Sequence, residues 1–376
     1  MKLNKENIEA LALGGLILGA GGGGSSEMGK ATGLESLTYG EPIMMKASEL
    51  NEDDIVVTIS GVGSPASTQA YVENEYYNRI LEELTKELGK RPAALIPSEM
   101  GGASSFGPFI ASAINGIPIL DAACNGRAHP LGTMGSMGLH EKRGYQTIQV
   151  AMGGDPTKDR FIRMTASGSV GNTASLVLSA AIRAGGLVAV ARNPVPASYV
   201  KEHAAIGCYS QSLSIGKAFL SGRTPDEKIG KVLEVLNGRI IRAGKILGYT
   251  LETRSGLDVG WFTMEGETEL KVWFWNEYMA IEEDGKRIHT FPDFMMTFEK
   301  EEGTPLTTAN IRDGIEVVLV AADRKNLLLG AGMHEASGYR AVEEALGIPV
   351  LPYVRDLIQD ANEDTRRKIH VNEADT

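Results

Sequence analysis

The apolar positions of this chain change period as the sequence runs. Over residues 4–18, Ile8, Leu11 and Leu18 share a helical face behind Asn4, a residue suited to capping a helix start, so a helix is expected there. The run DDIVVTISGVGSP at 53–65 reads as a buried strand that breaks at its glycines. Residues 71–88 place Tyr77, Ile80, Leu81, Leu84 and Leu88 on one face with charged residues opposite, as in an amphipathic helix. RPAALIPSEMGG, SSFGPFIASAING and IPILDAACNGRAHP then read as strand and loop, short helix, strand and loop. QTIQVAMGG is a further strand, followed by FIRMTAS. Helices are expected in SVGNTASLVLSAAIRAGG, over 197–220, and over 225–236, where Ile229, Val232, Leu233 and Leu236 form a stripe.

Strands alternating with helices predict a parallel-sheet α/β domain, drawn over residues 1–165. Ligands of such sheets bind beyond the carboxyl ends of the strands, where Glu99 and Asp121 both fall. Past Asn237 the segments alternate with period two between turn residues, which predicts an antiparallel β subdomain at about 238–322. That subdomain belongs to a C-terminal domain, 166–376, which also contains helices. GYRAVEEALGIPVLPYV reads as helix then strand, and the polar residues 360–376 are expected to fray.

Composition narrows the function. The 376 residues are 43% hydrophobic and 23% charged, an ordinary globular balance. A net charge of −11 with no basic stretch argues against nucleic acid as a partner. No apolar run is long enough to span a bilayer, and Glu6 and Glu9 interrupt any signal-like N-terminus, so a cytoplasmic protein with no membrane partner is expected. A homo-oligomer is expected as well. Two cysteines are too few for a disulfide framework.

Three glycine-rich stretches carry the candidate chemistry. GAGGGGSSEMGKA at 19–31 fits both GxGxxG and GxxxxGK, but the first pattern needs a strand before it and a long helix after it. The second needs Ser or Thr directly after the lysine, where Ala31 stands. No nucleotide is therefore expected, and Gly21, Gly22, Gly23, Gly24 and Ser25 are assigned to a small-molecule substrate through their backbone N–H groups. A tight turn that lets elements pack closely is the competing reading.

PSEMGGASSFGP and LDAACNGRAHPLGTMG add Glu99, Gly101, Gly102, Asp121, Asn125 and Arg127. Asp121 could equally be a cap, and Arg127 an ion-pair partner of Glu99 or Asp121. Asn172 is a further substrate-binding candidate. Cys124 lies five residues before His129, and Cys208 five after His203, which suggests a Cys2His2-type zinc set, although the spacing matches no standard motif.

The GAGGGG loop, the EMGG loop at Glu99, DAACNGRAHP, and the later GRIIRAGKILGYTLE and WNEYMAIEEDG segments together resemble the S-methyl thiohydantoin desulfurase family. Glu99 matches the acidic residue before Met-Gly-Gly. Asp121, Gly126, Arg127, Ala128 and Pro130 match an Asp-led turn, while Ala123, Cys124 and His129 depart from it. The resemblance implies a hydrolase acting on a carbon–sulfur bond, which removes sulfur from C2 of a thiohydantoin ring to leave a hydantoin and sulfide or a thiol. The thiohydantoin propionate of ergothioneine breakdown is one such heterocyclic substrate. Glu99 or Asp121 would serve as base and Arg127 would bind an anionic arm. Zinc on Cys124, His129, His203 and Cys208 would activate water. The competing classes are an accessory subunit of a hydantoinase or oxoprolinase-type complex, and a nucleotide-dependent enzyme using the 19–30 loop.

Overall fold

The computed structural model describes residues 1–63, 67–254 and 257–358, so the expected fraying of 360–376 and the last residues of the 53–65 run lie outside it. The chain opens with α1 (Lys5–Gly19), where Asn4 accepts from the Asn7 N–H and Asn7 returns the bond as a capping box. Then come α2 (Ser26–Tyr39), β1 (Met44–Met45), β2 (Ile55–Gly63), α3 (Asn74–Leu88), β3 (Ala94–Ile96), α4 (Phe109–Asn115), β4 (Ile119–Leu120) and β5 (Ala122–Ala123). After a long loop come β6 (Thr147–Gly153), β7 (Ile162–Gly168), α5 (Val170–Arg183), β8 (Leu187–Pro196), α6 (Ala197–His203), β9 (Ala205–Ile206), α7 (Cys208–Ser221) and α8 (Pro225–Leu236).

The first sheet has seven strands in the order β1-β4-β3-β2-β8-β6-β7. Its β1-β4-β3-β2 half is parallel, as the alternation of strands and helices predicts. Its other half is antiparallel, a correction to the parallel reading. The link between β6 and β7 is too short to hold a crossover helix, so β7 must return antiparallel. The fully apolar stretch of β8 lies at the centre of the sheet.

The rest of the chain builds an eight-stranded antiparallel sheet from β10 (Arg239–Arg254), β11 (Leu257–Met264), β12 (Leu270–Trp275), β13 (Glu277–Glu283), β14 (Lys286–Thr290), β15 (Phe294–Glu299), β16 (Pro305–Leu306) and β17 (Glu316–Ala322). Its order is β14-β13-β12-β11-β10-β17-β15-β16. α9 (Ala336–Leu346) follows, no strand comes after it among the described residues, and Leu351–Tyr353 form a 3-10 turn instead.

One apolar core joins α1, α7 and α8 to the second sheet through Leu11, Ile17, Ile215, Leu233, Phe262 and Phe298. α1 and α7 pack backbone to backbone, since a Cβ on Gly216 would strike the Ala10 carbonyl and one on Gly14 the Ser212 carbonyl. The expected helix at 197–220 is two helices, α6 and α7, separated by β9. α2 corrects the sequence reading more deeply. Its buried positions are Ser26, Gly29, Gly33 and Ser36, which have helical spacing but no apolar side chains, so hydrophobic periodicity does not register them.

Candidate active site

Glu99 stands just beyond β3, and its loop crosses the loop that leaves β5. The side chain is 14% exposed, and its Oε2 accepts from the His129 N–H at 3.2 Å. Burial raises its carboxyl to about 7, and the His129 N–H, the Ser104 hydroxyl, Arg192 and Arg127 only partly offset this.

The His129 ring lies 3.4 Å from the same oxygen through Nε2. Burial and then the Arg192 charge lower its pKa to about 4, so it is a neutral imidazole rather than an ion-pair partner. Among the described residues neither ring nitrogen makes a hydrogen bond of full geometry, although the Ser98 and Leu131 backbones are near enough to favour the protonated form slightly.

Arg127 is fully buried over the Phe291 ring, 4.5 Å from its centroid. Nη1 donates to the Pro292 and Asp293 carbonyls at 3.0 and 2.5 Å, and Nε to Ala128 at 3.3 Å, while Nη2 has no partner. Asn125 holds this turn in shape by donating to the Arg127 carbonyl at 2.8 Å and accepting from the Gly330 N–H at 3.1 Å. Both bonds are internal to the fold.

Two residues that the sequence reading does not single out complete the group. Arg192, on central strand β8, is 6% exposed; it forms no ion pair among the described residues and its Nε lacks an acceptor. Glu277, the first residue of β13, is 2% exposed with Oε2 unpartnered. Burial, followed by the Glu99 charge, pushes its carboxyl well above the usual range. Arg127 and Glu277 influence each other's charge, yet no hydrogen bond joins them. A buried charge left unpaired is costly, so orphaned groups of opposite kind around one space are the signature of a site shaped for a ligand.

The glycine loop closes over this group. A Cβ on Gly22 would run into the Glu277 carboxylate. Gly23, at φ 75°, would meet the Gly101 Cα at 2.6 Å and the Ala128 Cβ at 3.3 Å. Its carbonyl accepts from the Ala103 and Ser104 N–H groups at 2.9 and 3.1 Å. Gly24 rests on Ala103, and Gly102 on the Gly24 carbonyl, so the two glycine loops interlock as close-packed turns. Gly22, Gly23, Gly24 and Ser25 are half-buried. Ser25 caps α2 by accepting from the Met28 N–H at 3.3 Å. The loop is preceded by a helix, and Lys30 is paired with Glu9 at 2.5 Å.

Other expected site residues are placed elsewhere. Asp121 accepts from the Ser210 N–H at 3.0 Å and the Ser210 hydroxyl at 2.6 Å, capping α7 from across the chain. Asn172 is exposed in the first turn of α5. The proposed zinc ligands do not converge. The Cys124 Sγ faces the Thr58 hydroxyl at 3.3 Å, and burial raises its thiol to about 11. His203 stacks on Tyr199 with ring centroids 3.9 Å apart, and Cys208 is buried in the core at the start of α7. Among the described residues, no three His, Cys, Asp or Glu side chains form a metal-holding group, so these four do not fit a zinc ion as a set. An open groove of about 560 Å³, lined by Trp261, Trp273 and Glu344, lies apart from the Glu99 group.

Comparison with known proteins places this arrangement. The N-terminal S-Me-THD-like domain matches residues 6–157, and the C-terminal S-Me-THD-like domain matches residues 171–341. The chain belongs to the S-Me-THD-like family. The family name puts it among desulfurase-like enzymes of small molecules. A crystal structure of a Chromobacterium violaceum protein, a Northeast Structural Genomics Consortium target, shares the fold with a TM-score of 0.66 at 16% identity. The match covers 92% of this chain and 96% of that one. No curated protein matches. Among the described residues of this S-Me-THD-like chain, no helix is long and apolar enough to cross a membrane.

Proposed function

We propose that this S-Me-THD-like protein hydrolyses the carbon–sulfur bond at C2 of a thiohydantoin-type ring, giving a hydantoin and a thiol or sulfide. One observation carries the reading: the buried Glu99 carboxyl, poised at about 7, lies in the field of Arg192, whose buried Nε has no acceptor among the described residues. As a carboxylate, Glu99 takes a proton from water as the oxygen bonds to C2. The negative charge that develops on the ring is met by Arg192 and by the free Nη2 of Arg127. Neutral His129 packs beside Glu99, and its backbone N–H orients the carboxylate. Gly22, Gly23 and Gly24 let the loop pack closely enough to hold Glu277 and the Glu99 loop together beside the ring.

The test is release of thiol or sulfide, with hydantoin formation, from a panel of C2-thio-substituted hydantoins that includes the propionate ring of ergothioneine breakdown. Folded protein that releases neither from any member would sink the proposal.

A further inference from the structure

The second carboxyl at this site has no role in the scheme above. We propose that Glu277 is the general acid of the reaction, handing its proton to the sulfur as the C2–S bond breaks. The inference rests on the desulfurisation reading and adds a catalytic residue to it. Three geometric facts carry it. Glu277 comes from the second sheet and Glu99 from a loop of the first, and the Glu99 charge reaches the Glu277 carboxyl. Among the described residues its Oε2 is buried without a partner, and the Arg127 Nη2 and the His129 ring nitrogens on the neighbouring turn are also unpartnered. Its carboxyl also presses against half-buried Gly22, where any Cβ would displace it. Among the described residues no group accepts from Oε2, so a proton carried there is free to be donated to a bound molecule. Burial, with the Glu99 charge adding to it, holds the carboxyl in its protonated form. Two carboxyls held in different protonation states by their surroundings are the usual basis of an acid and base pair.

The steps balance. Water oxygen bonds to C2, Glu99 takes the water proton, and the C2=N electron pair moves onto the ring nitrogen. The C2–S bond then breaks with its electrons on sulfur, which takes the Glu277 proton and leaves as thiol. The hydroxyl proton passes to the ring nitrogen as C2=O forms. Transfer of the proton from Glu99 to Glu277 restores the starting state.

The experiment compares wild type with Glu277→Gln and Glu277→Asp on two rings, one carrying an S-methyl group and one an S-nitrophenyl group. An alkyl thiolate needs a proton to leave and an aryl thiolate does not. Glu277→Gln should therefore lose about 10²-fold or more in kcat on the methyl ring, yet stay within roughly threefold on the aryl ring. Glu277→Asp should recover part of the loss. Infrared difference spectra at neutral pH should show, beside the Glu99 contribution, a second protonated carboxyl band in wild type that Glu277→Gln removes. Equal losses on both rings, or no loss on either, would overturn the acid role while leaving desulfurisation intact, as would a missing second carboxyl band. Absence of thiol release by wild type overturns the underlying reaction instead.

Discussion

A carboxyl held at about 7, against an ordinary value of 4.5, sets the pH response expected of the site. Glu99 acts as a base only when ionised, so kcat/KM should fall as pH drops through about 7, and Glu99→Gln should lose about 10²-fold or more with the fold retained. A steady-state pH profile checks both. Arg192 is one of the charges that favour the ionised form, so Arg192→Met should move the acid limb to higher pH; an unmoved limb would separate Arg192 from Glu99. These residues were unequally visible in the sequence. Glu99 and Arg127 stand out because glycines surround them, and glycine-rich loops rarely keep charged residues for packing. Arg192 and Glu277 sit inside LVAVARNPVP and KVWFWNEYMAIEE, where a lone charge reads as the solvent side of a strand. Only the register that turns both strands inward exposes them as buried. Asp121 had two readings of equal standing, and the one observed depends on Ser210, a partner too distant in sequence to be inferred. The even spacing of the Cys and His pairs reflects no shared site.

Among the elements, those with apolar stripes were legible, and those that pack through small residues were not. α3 and α8 follow their stripes, whereas α2 buries glycine and serine against the 102–106 loop. The same use of small residues at the α1 and α7 contact gives a paired prediction. Gly216→Ala should cost roughly 1–3 kcal/mol, because the added methyl meets a backbone carbonyl that cannot yield. Gly230→Ala, in the interior of α8 with open space at its Cβ, should instead add about 0.5–1 kcal/mol. Chemical denaturation of the two variants checks the difference in sign.

For the whole molecule, chain order and spatial order diverge at β8. Residues 1–165 contain β2 and β6 but not the strand that lies between them. A fragment ending at 165 should therefore lack a cooperative thermal transition, and adding the chain through β8 alone should not restore it, because α1 still lacks α7. Differential scanning calorimetry of the fragments and the full chain checks this. Local patterns showed the strands, but they could not show a central strand that returns from later in the chain, since pairing is a property of the sheet.

The glycine loop has one more consequence. Its successive carbonyls are tied in different directions: Ala20 to the Tyr278 N–H and Gly21 to Thr308 in the second half of the molecule, Gly23 to Ala103 in the first. The segment is thus a short tether spanning the gap between the two carboxyls, and it sets their separation as a spacer would. A ring that draws Glu99 and Glu277 together tightens this tether from both ends. The Ala103 and Tyr278 amides, far apart in the chain, should then slow together in hydrogen exchange when a hydantoin binds.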